Sequence, residues 1–86
     1  IGTSAIDHDG ALLDFDYREV KVARAIMECA RRTVLVADSM KYERTAPVRI
    51  GHLSDLDCFV TDEPPPDKLA AICRDNDVAI ELAGGP

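Results

Sequence analysis

At 86 residues the chain is one small domain or a piece of one, a size at which a single hydrophobic core is only marginally stable. A hydrophobic fraction of 47% excludes intrinsic disorder, and no apolar run has the length of a membrane helix or the layout of a signal peptide. A net charge of -6 argues against a nucleic-acid-binding surface built by this chain alone, although eight of the ten Lys and Arg fall within residues 18–49, compatible with an anion site there.

Ile1-Gly2-Thr3-Ser4 reads as the end of a buried strand running into a loop, so part of the domain is expected to precede this sequence. Asp7-His8-Asp9-Gly10 is an acidic turn ended by glycine, leading toward a helix. Asp16-Tyr17-Arg18-Glu19 has the form of a capping box, with Asp16 as N-cap and Glu19 reaching back to its amide. The spacing predicts a helix over Arg18–Arg31. Its apolar face is Val22, Ala23, Ile26, Met27, Cys29 and Ala30, while Arg18, Lys21, Arg24 and Glu28 meet water. Arg31 and Arg32 complement the helix dipole at its end.

Thr33–Ala37 is a continuous β-rich run, as expected of a strand covered on both faces. Cys58–Thr61 is a second such run and Val78–Leu82 a third. Pro64-Pro65-Pro66 opens a second helix, Pro66 to Asn76, with Leu69, Ile72 and Cys73 inward. Ala83-Gly84-Gly85-Pro86 reads as a frayed tail. The resulting fold class is α/β, a layered and mostly parallel sheet with flanking helices. Cys29, Cys58 and Cys73 lack metal-ligand or disulfide spacing and read as buried thiols in a reducing cytoplasm. His8 and His52 stand alone and read as solvent-facing loop residues. No metal or cofactor is expected.

In a parallel α/β sheet the ligand crevice lies at the carboxyl ends of the strands. Lys41, just past the end of Thr33–Ala37, is a suitable point charge for a phosphate, and Asp38 is placed to receive turn amides that present it. Asp7 and Asp9 read either as ordinary turn carboxylates or as acceptors for the hydroxyls of a polyol. Glu19 reads as a cap, a ligand contact or both.

Ile6-Asp7-x-Asp9-Gly10, Leu13-Asp14-Phe15-Asp16-Tyr17-x-Glu19-Val20, Ala37-Asp38-x-x-Lys41-Tyr42-x-Arg44, Ala46-Pro47-Val48-Arg49 and Asp57-x-x-x-Thr61-Asp62 together resemble the effector-binding half of DeoR-family transcriptional repressors. The Leu13–Tyr17 run and the Pro triplet look most like the branch that responds to glycerol-3-phosphate. The resemblance implies a longer protein. An N-terminal winged helix-turn-helix would read DNA, and residues 1–86 would form the second part of a cytoplasmic, homo-oligomeric sensor of a phosphorylated metabolite, with Asp7, Asp9, Gly10, Glu19, Asp38 and Lys41 at the effector.

The implied sensor fold is similar to ribose-5-phosphate isomerase and the CoA transferases, in which Glu19 and Lys41 sit at positions matching catalytic residues. Four departures stand out. Gly10–Phe15 carries neither the isomerase lysine nor its glycine cluster, and the acids are spaced Asp7-His8-Asp9. Glu43 replaces a family glycine suited to positive φ, and Met40 replaces a serine. A sugar-phosphate isomerase-like enzyme is the alternative reading; with half of its proton-transfer set missing, binding without catalysis is the expectation.

Overall fold

The computed structural model describes residues 1–83, so Gly84–Pro86 of the expected tail lie outside the described residues. The elements in order are β1 (Ala5–Ile6), β2 (Ala11–Asp14), α1 (Tyr17–Cys29), β3 (Val34–Val36), β4 (Val48–His52), β5 (Cys58–Thr61), α2 (Asp67–Asp75) and β6 (Ala79–Leu82).

The apolar run at residues 33–37 forms a parallel strand as its composition predicts. β3, β5 and β6 make a parallel sheet in that order, with Leu35 opposite Phe59 and Phe59 opposite Ile80. Paired positions share a face. Leu35 and Phe59 are fully buried in one core with Leu69 and Cys73 of α2. The other face carries Val34, Val60 and Val36, of which Val36 is 62% exposed. The expected three strands and two helices are all present, with ends moved by one or two residues.

The rest of the sheet structure differs from the expectation of one mostly parallel sheet. β1, β2 and β4 form a second, antiparallel sheet in that order, with a register shift between Leu12 and Leu13. The cause is local. Asp7-His8-Asp9-Gly10 closes a tight turn, the Gly10 amide donating to the Asp7 carbonyl at 3.0 Å with Gly10 at φ 91. Such a turn reverses the chain, so it leads into the antiparallel strand β2 and the helix comes only afterwards.

Residues 1–6 join the two sheets. The Ile1 amino group donates to the Val34 carbonyl at 2.8 Å, and the Val36 amide donates to the Ile1 carbonyl at 3.0 Å. Ile1 is therefore a parallel rung beside Leu35. Five residues later Ile6 pairs with β2 on one side and forms a parallel bridge to Tyr42 on the other.

Asp16 caps α1 as predicted, its carboxylate accepting from the Arg18 amide at 2.8 Å. Glu19 returns no bond to the Asp16 amide among the described residues. The helix packs on β4 and β2 of the antiparallel sheet. Its inner stripe is Val20, fully buried, with Ala23 and Met27 half-buried. Val22 and Ile26, expected inward, are 61% and 50% exposed, and Cys29 is exposed while Cys58 and Cys73 are buried. α1 thus carries two apolar stripes, of which the core takes one. Arg24 is exposed, as expected, and its guanidinium also donates to the carbonyls of Arg49 and Ile50 of β4. It thereby occupies hydrogen-bonding groups of an edge strand that would otherwise be open.

The two turns that decide chain direction set opposite outcomes for substitution. A Cβ at Gly10 would stand 2.8 Å from His52 Nε2 in a left-handed conformation, so Gly10→Ala should lower urea-unfolding stability by about 1–3 kcal/mol. Glu43 holds φ 55 without being glycine, and Glu43→Gly should raise stability by about 0.5–1 kcal/mol.

Candidate functional site

Two chain segments run side by side, residues 1–6 and residues 35–42, paired at Ile1 with Leu35 and at Ile6 with Tyr42. Between those pairings they part. Gly2-Thr3-Ser4 leaves on one side and Asp38-Ser39-Met40-Lys41 on the other, beyond the carboxyl end of parallel β3. This divergence of neighbouring parallel segments is where an α/β sheet opens a ligand crevice.

A groove of about 590 Å³ lies between Ile1–Ser4 and α1, with none of residues 35–42 in its lining. Its polar lining is Thr3, Ser4, Asp14, Arg18 and Glu19, and its apolar wall includes Val22, Ala23, Ile26 and Ile50. Thr3 is buried and its hydroxyl bonds the Leu13 carbonyl at 2.8 Å and the Ala5 carbonyl at 3.0 Å. The Ser4 hydroxyl donates to Asp14 Oδ1 at 2.9 Å, and the Phe15 amide donates to the same oxygen at 2.7 Å. Glu19, in the first turn of α1, is the one sequence-predicted site residue in this lining.

The strand-end loop holds two others. Asp38 accepts from the Met40 amide at 2.9 Å and starts a single tight helical turn, Ser39–Lys41, as expected of a residue presenting Lys41. Lys41 is half-buried and has no ion pair among the described residues. Asp62, at the end of β5, accepts from the Ser39 amide at 2.7 Å, and that bond holds its carboxyl below the ordinary aspartate value. The Tyr42 hydroxyl lies 2.8 Å from both Thr61 Oγ1 and the Glu63 carbonyl, and burial raises its ionisation above the usual tyrosine value. These bonds fasten the loops after β3 and β5 to each other.

Asp7, Asp9 and Gly10 lie apart from the groove. β2 runs between them and α1, carrying the chain roughly 13 Å at about 3.3 Å per residue. Their groups are engaged locally. Asp7 Oδ1 accepts from the His8 amide and contacts His8 Nδ1, both at 2.7 Å. Asp9 Oδ1 accepts from the Ala11 amide at 3.0 Å, which is the main cause of its lowered pKa.

His52, expected as a solvent-facing loop residue, is instead a half-buried clasp on this turn. Its Nδ1 accepts from the Ser54 amide at 3.1 Å, so the proton sits on Nε2, which donates to the Asp9 carbonyl at 2.7 Å. The Leu53 amide donates to the Gly10 carbonyl at 2.9 Å, completing the attachment.

Ser4, Asp14 and Arg18 were not singled out from sequence, although the hairpin that brings Ser4 opposite Asp14 was signalled by the Asp7–Gly10 turn. No group of three or more His, Cys, Asp or Glu side chains arranged to hold a metal is found among the described residues, and no helix there is long and apolar enough to cross a membrane.

The model of the DeoR C-terminal sensor domain matches residues 1–63. The chain is 44% identical over 82 residues to the glycerol-3-phosphate regulon repressor of Escherichia coli K12, covering 95% of this chain and 32% of that protein. It is 55% identical over 65 residues to the protein of the same name from Haemophilus influenzae, covering 76% of this chain and 26% of the relative. The HTH-type transcriptional repressor CsqR of E. coli is 41% identical over 78 residues, 91% of this chain and 30% of that one. The chain belongs to the DeoR family, within its C-terminal sensor domain, and spans about a third of the length of these relatives or less.

The fastened strand ends should show in pH-dependent stability. The raised Tyr42 pKa contributes stability below the ordinary tyrosine value that is lost as pH climbs toward the folded value. The lowered Asp62 pKa contributes stability above the ordinary aspartate value that is lost as pH falls through the folded value. Urea unfolding across an acid and an alkaline series should show the alkaline loss reduced in Tyr42→Phe and the acid loss reduced in Asp62→Asn. Unchanged profiles in both would contradict the network.

Proposed function

We propose that this chain is the effector-binding part of a DeoR-type transcriptional repressor of sugar or glycerol catabolism. A phosphorylated small metabolite, glycerol-3-phosphate first among candidates, relieves DNA binding by the whole protein. The observation that carries this reading is the groove of about 590 Å³ between Ile1–Ser4 and α1, which Glu19 lines. Two relatives named for the glycerol-3-phosphate regulon, 44% and 55% identical to this chain, support the choice of effector.

Glu19 and Lys41 contact the effector from the two diverging sides, and Asp38 positions Lys41. Asp7, Asp9 and Gly10, also expected at the effector, serve it through the turn that fixes β1 and β2. An N-terminal winged helix-turn-helix outside this sequence reads DNA in the cytoplasm, with residues 1–86 in the later part of the sensor domain. The intact protein is a homo-oligomer, a reading supported by exposed Val36, apolar surface of the kind normally covered.

The chain is a sensor without turnover. Isomerisation needs a base and a charged group to stabilise the enediolate at one place. Glu19 has no lysine in the preceding Gly10–Phe15 stretch, and Asp7 and Asp9 sit at the other end of β2. Binding alone needs no such pairing.

Calorimetry with glycerol-3-phosphate tests the reading. Lys41→Ala should weaken binding by about 1.5–3 kcal/mol, the worth of a charge-assisted hydrogen bond. An unchanged half-saturation point would remove Lys41 from the site. A coupled assay with ribose-5-phosphate should show no turnover, and the isolated chain at -6 net charge should give no salt-sensitive shift of duplex DNA. Activity in the first assay or a shift in the second would overturn the corresponding part of the reading.

A further inference from the structure

Lys41 ends a single helical turn, Ser39–Lys41. Two backbone bonds close it, the Lys41 amide to the Asp38 carbonyl at 3.1 Å and the Tyr42 amide to the Ser39 carbonyl at 3.2 Å. A helix this short does not persist by itself, so the direction in which it carries a side chain must be set from outside. The Asp38 cap cannot set it. Its bond to the Met40 amide lies within the same stretch of chain and moves with it.

The tie between the turn and the sheet comes from the end of β5. Asp62 Oδ1 accepts from the Ser39 amide at 2.7 Å, across 23 residues of sequence, and Oδ2 accepts from the Ser39 hydroxyl at 3.3 Å. On the far side of Lys41, the Tyr42 hydroxyl bonds Thr61 Oγ1 and the Glu63 carbonyl, and its ring meets Phe59 edge-on with centroids 6.2 Å apart. The lysine is thus bracketed by two attachments to one strand end. Tyr42 is half-buried and also packs on the core. Asp62 is exposed, and beyond Ser39 its side chain accepts only a long bond from the Thr61 hydroxyl, 3.4 Å, among the described residues. No ion pair joins Asp62 to Lys41 among those residues. The carboxylate therefore reaches the lysine through the backbone of the turn.

We propose that Asp62 is a positioning residue for Lys41: from the end of β5 its carboxylate holds the Ser39 amide and so fixes the direction in which the turn presents the lysine to the effector. This rests on the effector-binding reading above, in which Lys41 contacts the ligand, and deepens it. A lysine is a flexible point charge on a long stem, so its use in binding depends on where its backbone is held.

Calorimetry of the whole protein with glycerol-3-phosphate tests the role, using Asp62→Ala, Asp62→Asn, Lys41→Ala and the double variant Lys41→Ala with Asp62→Ala. Asp62→Ala, an exposed substitution that leaves the core intact, should weaken binding about fivefold. Asparagine keeps an oxygen that accepts the Ser39 amide, so Asp62→Asn should bind within about twofold of the parent. In the Lys41→Ala background Asp62→Ala should cost nothing further, because a residue acting through Lys41 then has nothing to position. Three results would each overturn the positioning role and leave the effector reading standing: Asp62→Ala binding as the parent does, an equal loss with and without Lys41, or Asp62→Asn as weak as Asp62→Ala. Lys41→Ala binding as the parent does, or no binding by the parent, would overturn the effector role of Lys41 and this inference with it.

Discussion

Everything in this structure depends on the path of residues 1–6 between two sheets. Ile1 is a rung of the parallel sheet and Ile6 a member of the antiparallel one, and the backbone changes allegiance within five residues. Ile6, Leu12, Leu35 and Phe59 can share one core because that crossing brings the sheets together. A chain making such a change cannot pair continuously with β3, and Gly2, Thr3 and Ser4 in that interval line the groove. The candidate site follows from the topology, with the side chains of Arg18, Glu19 and Asp14 arriving from the helix and strand that come next.

The same crossing accounts for the surface left open. α1 is attached to the antiparallel sheet, through Val20 and through Arg24 on the edge of β4, and so does not cover the parallel one. Parallel sheets are as a rule covered on both faces. Here α2 accompanies the face of Leu35 and Phe59, while Val36 on the other face stays exposed. The second apolar stripe of α1, Val22 and Ile26, lines the groove.

The sequence made the parallel half of the fold legible and the antiparallel half hard to see. Thr33–Ala37 and Cys58–Thr61 are short unbroken apolar runs, and the Pro triplet and Asp16 mark helix starts by chemistry that tertiary packing leaves in place. β1 has two residues, and β4 is bulged at Ile50 against β2 and includes a glycine and an arginine, so neither offers the run or alternation that distinguishes a strand. Helical periodicity located α1 correctly but could not say which of its two apolar stripes is buried, because that depends on which sheet the helix joins.

Among the site residues, the roles of Asp16 and Asp38 were local and readable as caps, and Glu43 at positive φ was signalled by the glycine it replaces in the family pattern. His52 was not readable, because its meaning comes from Asp9, 43 residues away. The central claim is that the effector enters between residues 1–6 and 35–42. Hydrogen exchange of the chain with and without saturating glycerol-3-phosphate tests it most directly. Slowed exchange in peptides spanning Ile1–Ile6 and Asp38–Tyr42, with the Asp7–Gly10 turn unchanged, is the predicted result; slowing confined to that turn and His52 would contradict it.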